Sequence, residues 1–381
     1  MDFALDEKLL ARQAEARAFA RDEVAPGAAE RDRKKEYPEK LVRRAAELGY
    51  MGCLVPEKMG GSGLGNLGQC VVLEEVAAAC AGTHVTLSVH NSLVSAPIYK
   101  YGGPEVHERW LGAVGSGEKL GCYLLTEPGS GSDAAAMSTT ATEDGDYFVI
   151  NGDKMWITTG DVAQVGVVFA ITNLDRSVRN TKAISAFVID FDDPGVTFGK
   201  REPKLGLRAS TTVAVFLKDV RVHKSQMLGE RDRGFSIAMD MLNGGRIGIA
   251  VQAIGIARAA LELALERSEI SKRNGKPLGK SQLARFRMAE IATSIEASRL
   301  LAWRAALLRD RKENHIREAS MAKLMATQSA NDACRRVVEL LGEAGYSDDC
   351  AAERLMRDCR VTELYEGTTE VQKLVISRQL L

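Results

Sequence analysis

A chain of 381 residues with 45% hydrophobic content can bury a large core and has room for two or three domains. Its 51 Lys plus Arg balance its 51 Asp plus Glu, so no global field attracts nucleic acid or an anionic membrane, and an anionic ligand must be held locally. The seven cysteines are odd in number and match no paired metal or redox spacing, and the five histidines suit no metal site, which argues against a metal enzyme, and the thiols read as reduced, in a cytoplasmic protein.

In chain order, residues 1–120 read as a helical domain. The N-terminus lacks the look of a signal or transit peptide, and no apolar stretch is judged long and charge-free enough to span a bilayer. Leu9, Ala16, Ala20 and Val24 share one helix face, which Pro26 and Gly27 end. Residues 121–230 read as a β-domain: short β-rich runs at Tyr147 to Ile150, Met155 to Thr158, Val165 to Thr172, Ala183 to Phe191 and Thr211 to Leu217, with Asp144-Gly145 and Asn151-Gly152 as tight turns between runs. Residues 231–381 return to helices. Ile247 to Leu265 is apolar on nearly all sides, which marks a central helix. Met288, Ile291, Ile295 and Ala302 line one face of the next helix, whose partner runs from about Arg317 to Leu341. The fold class is therefore α+β, mostly α, and the order of elements argues against a dinucleotide fold of alternating strands and helices.

Three segments carry candidate chemistry. Tyr123 to Asp133 is a Gly/Ser/Pro-rich loop whose amides and hydroxyls can approach a planar ligand, although composition alone would give a surface turn. In Lys154 to Gly160 an aromatic ring precedes hydroxyls within a strand, where a tryptophan is more often core than cofactor wall. Near the C-terminus, Glu366 occupies the break between two helices beside Gly367, Thr368 and Thr369, and capping by Thr369 or Glu370 would account for part of the pattern but not for the carboxylate.

Together, and with Gly206 to Ser210 and Gly244-Gly245-Arg246-Ile247, these segments resemble the acyl-CoA dehydrogenase family along essentially the whole chain. The resemblance implies an N-terminal helical domain, a middle β-domain and a C-terminal four-helix domain, assembled as a homotetramer. It implies FAD as cofactor, an acyl-CoA thioester as substrate and electron-transfer flavoprotein as partner. Glu366 matches the catalytic base. Tyr123, Leu125, Thr126, Gly131 and Ser132, then Trp156, Ile157 and Thr158, and finally Thr368, Thr369 and Glu370 match flavin contacts. Ser132, Asn243, Arg246 and Gly367 match substrate contacts. Because Gly245 lacks the carboxylate that some branches carry there, the arrangement resembles the short- and medium-chain branches. With His84 read as structural, a dicarboxylic acyl chain is disfavoured.

The match departs where the family grips the FAD diphosphate and adenine. Ser271 stands for an arginine, Asn274 and Ser281 for phenylalanines, Glu339 for a glutamine and Glu343 for a glycine. Losing an arginine fork and gaining two carboxylates predicts weak or unusual FAD binding, with Lys272, Arg273 or Lys276 as neighbours able to compensate. The leading expectation is oxidation of a short-chain acyl-CoA to the trans-2-enoyl-CoA. Its rivals are a non-redox hydratase, lyase or isomerase using the same glutamate, and a non-catalytic acyl-CoA-binding subunit.

Overall fold

The computed structural model describes residues 4–175, 177–273 and 276–381. The chain opens with α1 (Glu7–Phe19), α2 (Ala28–Lys34), α3 (Glu39–Glu47), α4 (Gly65–Ala79), α5 (Ala81–Val89), α6 (Ala96–Tyr101), α7 (Pro104–Val106) and α8 (Gly112–Ser116). Strands β1 (Gly121–Leu124), β2 (Thr140–Asp144), β3 (Tyr147–Thr158), β4 (Val165–Ile171), β5 (Ile184–Asp190), β6 (Val196–Phe198), β7 (Thr212–His223) and β8 (Met227–Leu228) follow. A second helical block holds α9 (Gly234–Arg267), α10 (Gln282–Asp310), α11 (Ile316–Leu341), α12 (Ala351–Arg360) and α13 (Thr369–Leu380), with the short strands β9 (Lys272–Arg273) and β10 (Lys276–Pro277) between α9 and α10. The helix, strand, helix order matches the expected fold class.

Asp6 caps α1 by accepting from the Leu9 amide at 2.7 Å, and the expected inward face appears as buried Ala16, Ala20 and Val24. Strands β1 to β8 form one sheet in the order β6-β7-β3-β2-β4-β5-β8, with β1 beside β4 in parallel, while β9 and β10 pair separately. β4 is apolar throughout because both its faces are covered. Val165, Val167 and Phe169 pack into the helical core, whereas Val168 and Ala170 join Phe148, Ile150, Phe187 and Val213 in a separate core on the other face.

One predicted turn is absent. Asn151-Gly152 lies inside β3, which runs unbroken through both predicted runs and slips register against β7 at this point. The Asn151 side chain accepts from the Asp219 amide at 2.9 Å, and Gly152 passes so close to Thr139 that a Cβ would collide with it. The dipeptide therefore serves a β-bulge and a close approach rather than a reversal. Asp144-Gly145 does turn the chain between β2 and β3, with Gly145 at φ 59°.

α9 is the centre of the helical core, packed by α4, α5, α10, α11 and α12. Contrary to the sequence reading, it contains an 18-residue window long and apolar enough, by composition, to cross a membrane. Of that window 72% is buried by neighbouring elements, which is why the helix is apolar on all sides.

The loop after β1 is tied to β3 by a charge pair sealed from solvent. Lys154 is 0% exposed and donates to Glu127 Oε1 at 2.8 Å and to the Phe169 carbonyl at 2.8 Å. Glu127 Oε2 accepts from the Ser138 amide and hydroxyl at 2.6 and 2.7 Å. Burial alone would raise the Glu127 carboxyl, but Lys154 and the Ser138 and Thr139 donors hold it down at about 2. Removing one partner strands the other charge in the interior. Lys154→Met is expected to cost about 3–5 kcal/mol in urea unfolding, with part of that loss recovered when Glu127→Gln is added.

Candidate active site

The break between α12 and α13 is a tight reversal. After a 3-10 turn at Val361–Glu363, Glu366 takes φ 51° and Gly367 φ 95°, and Thr368 then caps α13 by accepting from the Val371 amide. The cap thus falls on Thr368, not on Thr369 or Glu370, because the reversal is complete one residue earlier. A left-handed glutamate costs roughly 1–3 kcal/mol and persists only when its surroundings impose it. Here the Gly367 carbonyl accepts from the Lys323 ammonium on α11 and from Gln372 Nε2 at 2.8 Å. The Tyr365 hydroxyl donates to Gln252 on α9.

The reversal turns the Glu366 carboxylate inward. Its Oε2 is buried without a hydrogen-bond partner among the described residues, although the residue's remaining surface is partly exposed. The carboxylate rests on α9 at Gly245, where any Cβ would collide with it. Burial pushes the carboxyl up to about 7, against the pull of the Lys323 and Arg246 cations. Arg246 is itself buried, donating to Asn243 Oδ1 at 2.6 Å and to Ser320 Oγ at 3.3 Å, while its Nε has no partner among the described residues. The Tyr123 hydroxyl is also buried and unpartnered; burial raises its pKa, and the Glu366 charge adds to that rise. Glu366, Arg246, Asn243, Gly367 and Tyr123 therefore share one electrostatic neighbourhood.

The two middle segments lie side by side, the Met155 amide donating to the Thr126 carbonyl at 2.8 Å. Between Lys154 and Ile157 the register of β3 slips again, and Trp156 takes φ 60°. That bulge turns the indole out of the sheet: Trp156 is 55% exposed and lies outside the core. Ile157 points into the β-domain core, so only its backbone is free to meet a ligand. Leu125 is buried, Thr126 and Thr158 half-buried, and Gly131 and Ser132 exposed on the loop. The Gly206 to Ser210 segment joins this face to the helices. The Leu207 amide donates to Asp358 Oδ1 on α12 at 2.6 Å, and Gly206 abuts the Arg357 carbonyl, where a Cβ would collide. An aromatic face, flanking hydroxyls and a buried acid suit the ring end of a flavin. A groove of about 290 Å³ lined by Arg109, Asp190, Arg221 and His223 lies elsewhere on the β-domain and holds none of these residues.

At the expected diphosphate end, Asn274 falls outside the described residues, as do the side chains of Lys272, Arg273 and Lys276. Ser281 caps α10, and Ser271 is half-buried. Glu339 is paired with Arg335 and, at 3.2 Å, with Arg287, so its charge is largely offset within the chain. Glu343 is exposed.

Sequence reading missed Lys323, Gln372 and Asp358, which shape the reversal and its mounting. Lys323 had a legible signal: it interrupts the stripe of Ala319, Ala322, Ala326 and Ala330, small residues at helical spacing on the buried face of α11. A lysine on such a stripe requires a buried partner.

Comparison with known proteins agrees with this geometry. Residues 6–118, 122–220 and 232–381 match, in turn, the N-terminal, middle and C-terminal domain models of acyl-CoA dehydrogenase. The chain is 47% identical over 365 residues to the mouse (Mus musculus) short-chain specific acyl-CoA dehydrogenase, mitochondrial, covering 96% of this chain and 88% of that protein. Butyryl-CoA dehydrogenase from Megasphaera elsdenii superposes with a TM-score of 0.97 at 38% identity, covering 100% of both chains. A chain in a structure described as the electron transferring flavoprotein of Acidaminococcus fermentans also superposes at 0.97, with 39% identity and 100% coverage of both. The chain therefore belongs, along its whole length, to the acyl-CoA dehydrogenase family.

Proposed function

We propose that this protein oxidises a short-chain acyl-CoA thioester to the trans-2-enoyl-CoA, with FAD as cofactor and an electron-transfer flavoprotein as the partner that collects the electrons. The observation that carries this reading is the buried, unpartnered Glu366 carboxylate, raised to about 7 and held beside Arg246 and Tyr123. The 47% identity to a short-chain enzyme and the 0.97 superposition on butyryl-CoA dehydrogenase support the substrate class.

Glu366 removes the α-proton onto its free oxygen. Its basicity comes from exclusion of water and is trimmed, not abolished, by two nearby cations. The left-handed turn fixes the direction of attack, and Gly245 leaves the carboxylate room on α9. In this reading Arg246, Asn243, Gly367 and Ser132 contact the thioester. The chemistry that bound FAD would supply is a hydride acceptor for the β-carbon. Tyr123, Leu125, Thr126, Gly131, Ser132, Trp156, Ile157 and Thr158 would hold its ring end, and Thr368, Thr369 and Glu370 would present the start of α13 to it. The exposed Trp156 favours this redox reading over a hydratase, lyase or isomerase, which has no use for a flat cofactor wall.

We assign the domains to residues 1–120, 121–230 and 231–381. A homotetramer is consistent with the exposed Leu265, Ile270, Leu283, Phe286, Leu374 and Leu380 on and around the second helical block. A cytoplasmic setting is consistent with seven free, buried thiols.

The experiment that tests the reading is bleaching of the yellow protein by butyryl-CoA, which should occur in the wild type and vanish in Glu366→Gln; unchanged turnover in that variant sinks the mechanism. The rate should rise as pH increases through about 7, where Glu366 becomes ionised. Between 4.5 and about 7 the folded protein holds a proton the unfolded chain has lost, so Glu366 costs stability as pH rises through that window. Glu366→Gln should therefore be more stable than wild type at pH 8, by up to about 3 kcal/mol in denaturant unfolding, with no advantage near pH 4.

Gly245→Ala should push the carboxylate aside and lower kcat/KM on the order of a hundredfold. Lys323→Met removes a cation that lowers the Glu366 pKa, so the rising limb of the pH profile should move above 7 as the rate falls. An unmoved limb would show that Lys323 only packs.

A further inference from the structure

α5 and α9 meet along one face of each. Gln252 Nε2 on α9 donates to the Ala81 carbonyl on α5 at 3.0 Å. Ser88 Oγ rests on Gly248, where a Cβ would collide with it. Ala81, His84 and Ser88 recur at the i, i+3, i+7 spacing of a single helix face, and so do Gly245, Gly248 and Gln252. His84 lies between two residues that touch this stripe of α9, and the Glu366 carboxylate rests on the same stripe at Gly245.

His84 is 0% exposed, and neither ring nitrogen has a hydrogen-bond partner among the described residues; Ser88 Oγ is likewise buried and unpaired. Buried polar groups in folded proteins are otherwise paired, and an imidazole always presents two hydrogen-bonding positions. His90, next along the chain, shows what a structural histidine does here. Its Nε2 lies 2.7 Å from the Val114 carbonyl, and its Nδ1 accepts from the Gly121 amide at 3.1 Å. His84 makes no such contacts among the described residues.

Resting on the acyl-CoA reading of the site, we propose that His84 and Ser88 meet the acyl chain along the α9 stripe that carries Glu366 and select chains that carry an uncharged oxygen, a hydroxyl or a carbonyl, beyond the β-carbon. Burial pushes the His84 imidazole down to about 3, so it is neutral at physiological pH and offers one donor and one acceptor, the complement of an alcohol or ketone. A terminal carboxylate finds no cation on α5, whose sequence from Ala81 to Val89 is uncharged. A plain alkyl chain leaves the ring nitrogens and the Ser88 hydroxyl unpaired, and sites built around hydrogen bonds discriminate strongly against ligands that lack them.

The test compares kcat/KM for 4-hydroxybutyryl-CoA, 4-oxopentanoyl-CoA, butyryl-CoA and glutaryl-CoA on the holoenzyme. At least one of the first two should exceed butyryl-CoA by about tenfold or more, and glutaryl-CoA should be the poorest. His84→Leu should bring the ratio of oxygenated substrate to butyryl-CoA down toward one, and His84→Gln, which keeps a donor and an acceptor, should restore part of it. A wild type that prefers butyryl-CoA overturns the proposal, whether or not the variants fold. So does a preference that survives in His84→Leu. If none of the four substrates is oxidised, the short-chain reading of the site fails and takes this inference with it, whereas oxidation without preference overturns this inference alone.

Discussion

A carboxylate that acts as a base must be kept from water and left without a donor, two conditions that folding ordinarily opposes. Here both are met at Glu366 by the backbone. The residue is forced into the left-handed region between α12 and α13, and its side chain lands on α9 at Gly245, which has no side chain to repel it. The strain and the desolvation are tolerated because the reversal is fastened from three sides, by Lys323 and Gln372 at the Gly367 carbonyl and by Gln252 at Tyr365. These tethers come from α11, α13 and α9, so the base is defined only once the second helical block is assembled.

α9 is the shared reference for everything around the site. Gly245 receives the carboxylate, Gly248 receives Ser88, Gln252 bridges Tyr365 and Ala81, and Gly255 lets α4 approach its backbone. A stripe of missing side chains thus does two jobs, close helix packing and clearance for ligand-facing groups. The β-domain is registered to the same frame from the other side. Leu207 and Gly206 dock on α12 directly ahead of the reversal, while the sealed Lys154–Glu127 pair locks the loop bearing Thr126 to the strand bearing Trp156.

The altered residues toward the far end of the cofactor look different once the fold is known. Glu339, read from the sequence as a carboxylate facing a diphosphate, is held by Arg287 and Arg335, and Ser281 is occupied as the cap of α10. The repulsion expected from the sequence is correspondingly smaller at Glu339, because its charge is balanced before any ligand arrives.

The sequence by itself determined the order of helices and strands, the buried central helix and the glutamate at the helix break, because periodicity, turn residues and an ionisable group at a discontinuity are local signals. It misjudged Asn151-Gly152 because a bulge and a turn use the same residues, and only the partner strand β7 decides between them. It ranked His84 as structural and passed over Lys323, since whether a buried polar group is satisfied depends on atoms from other elements. Lys323 finds its acceptor 44 residues away at Gly367, whereas His84 finds none among the described residues. The pairing of buried charges and donors is a property of tertiary contact, and no local pattern encodes it.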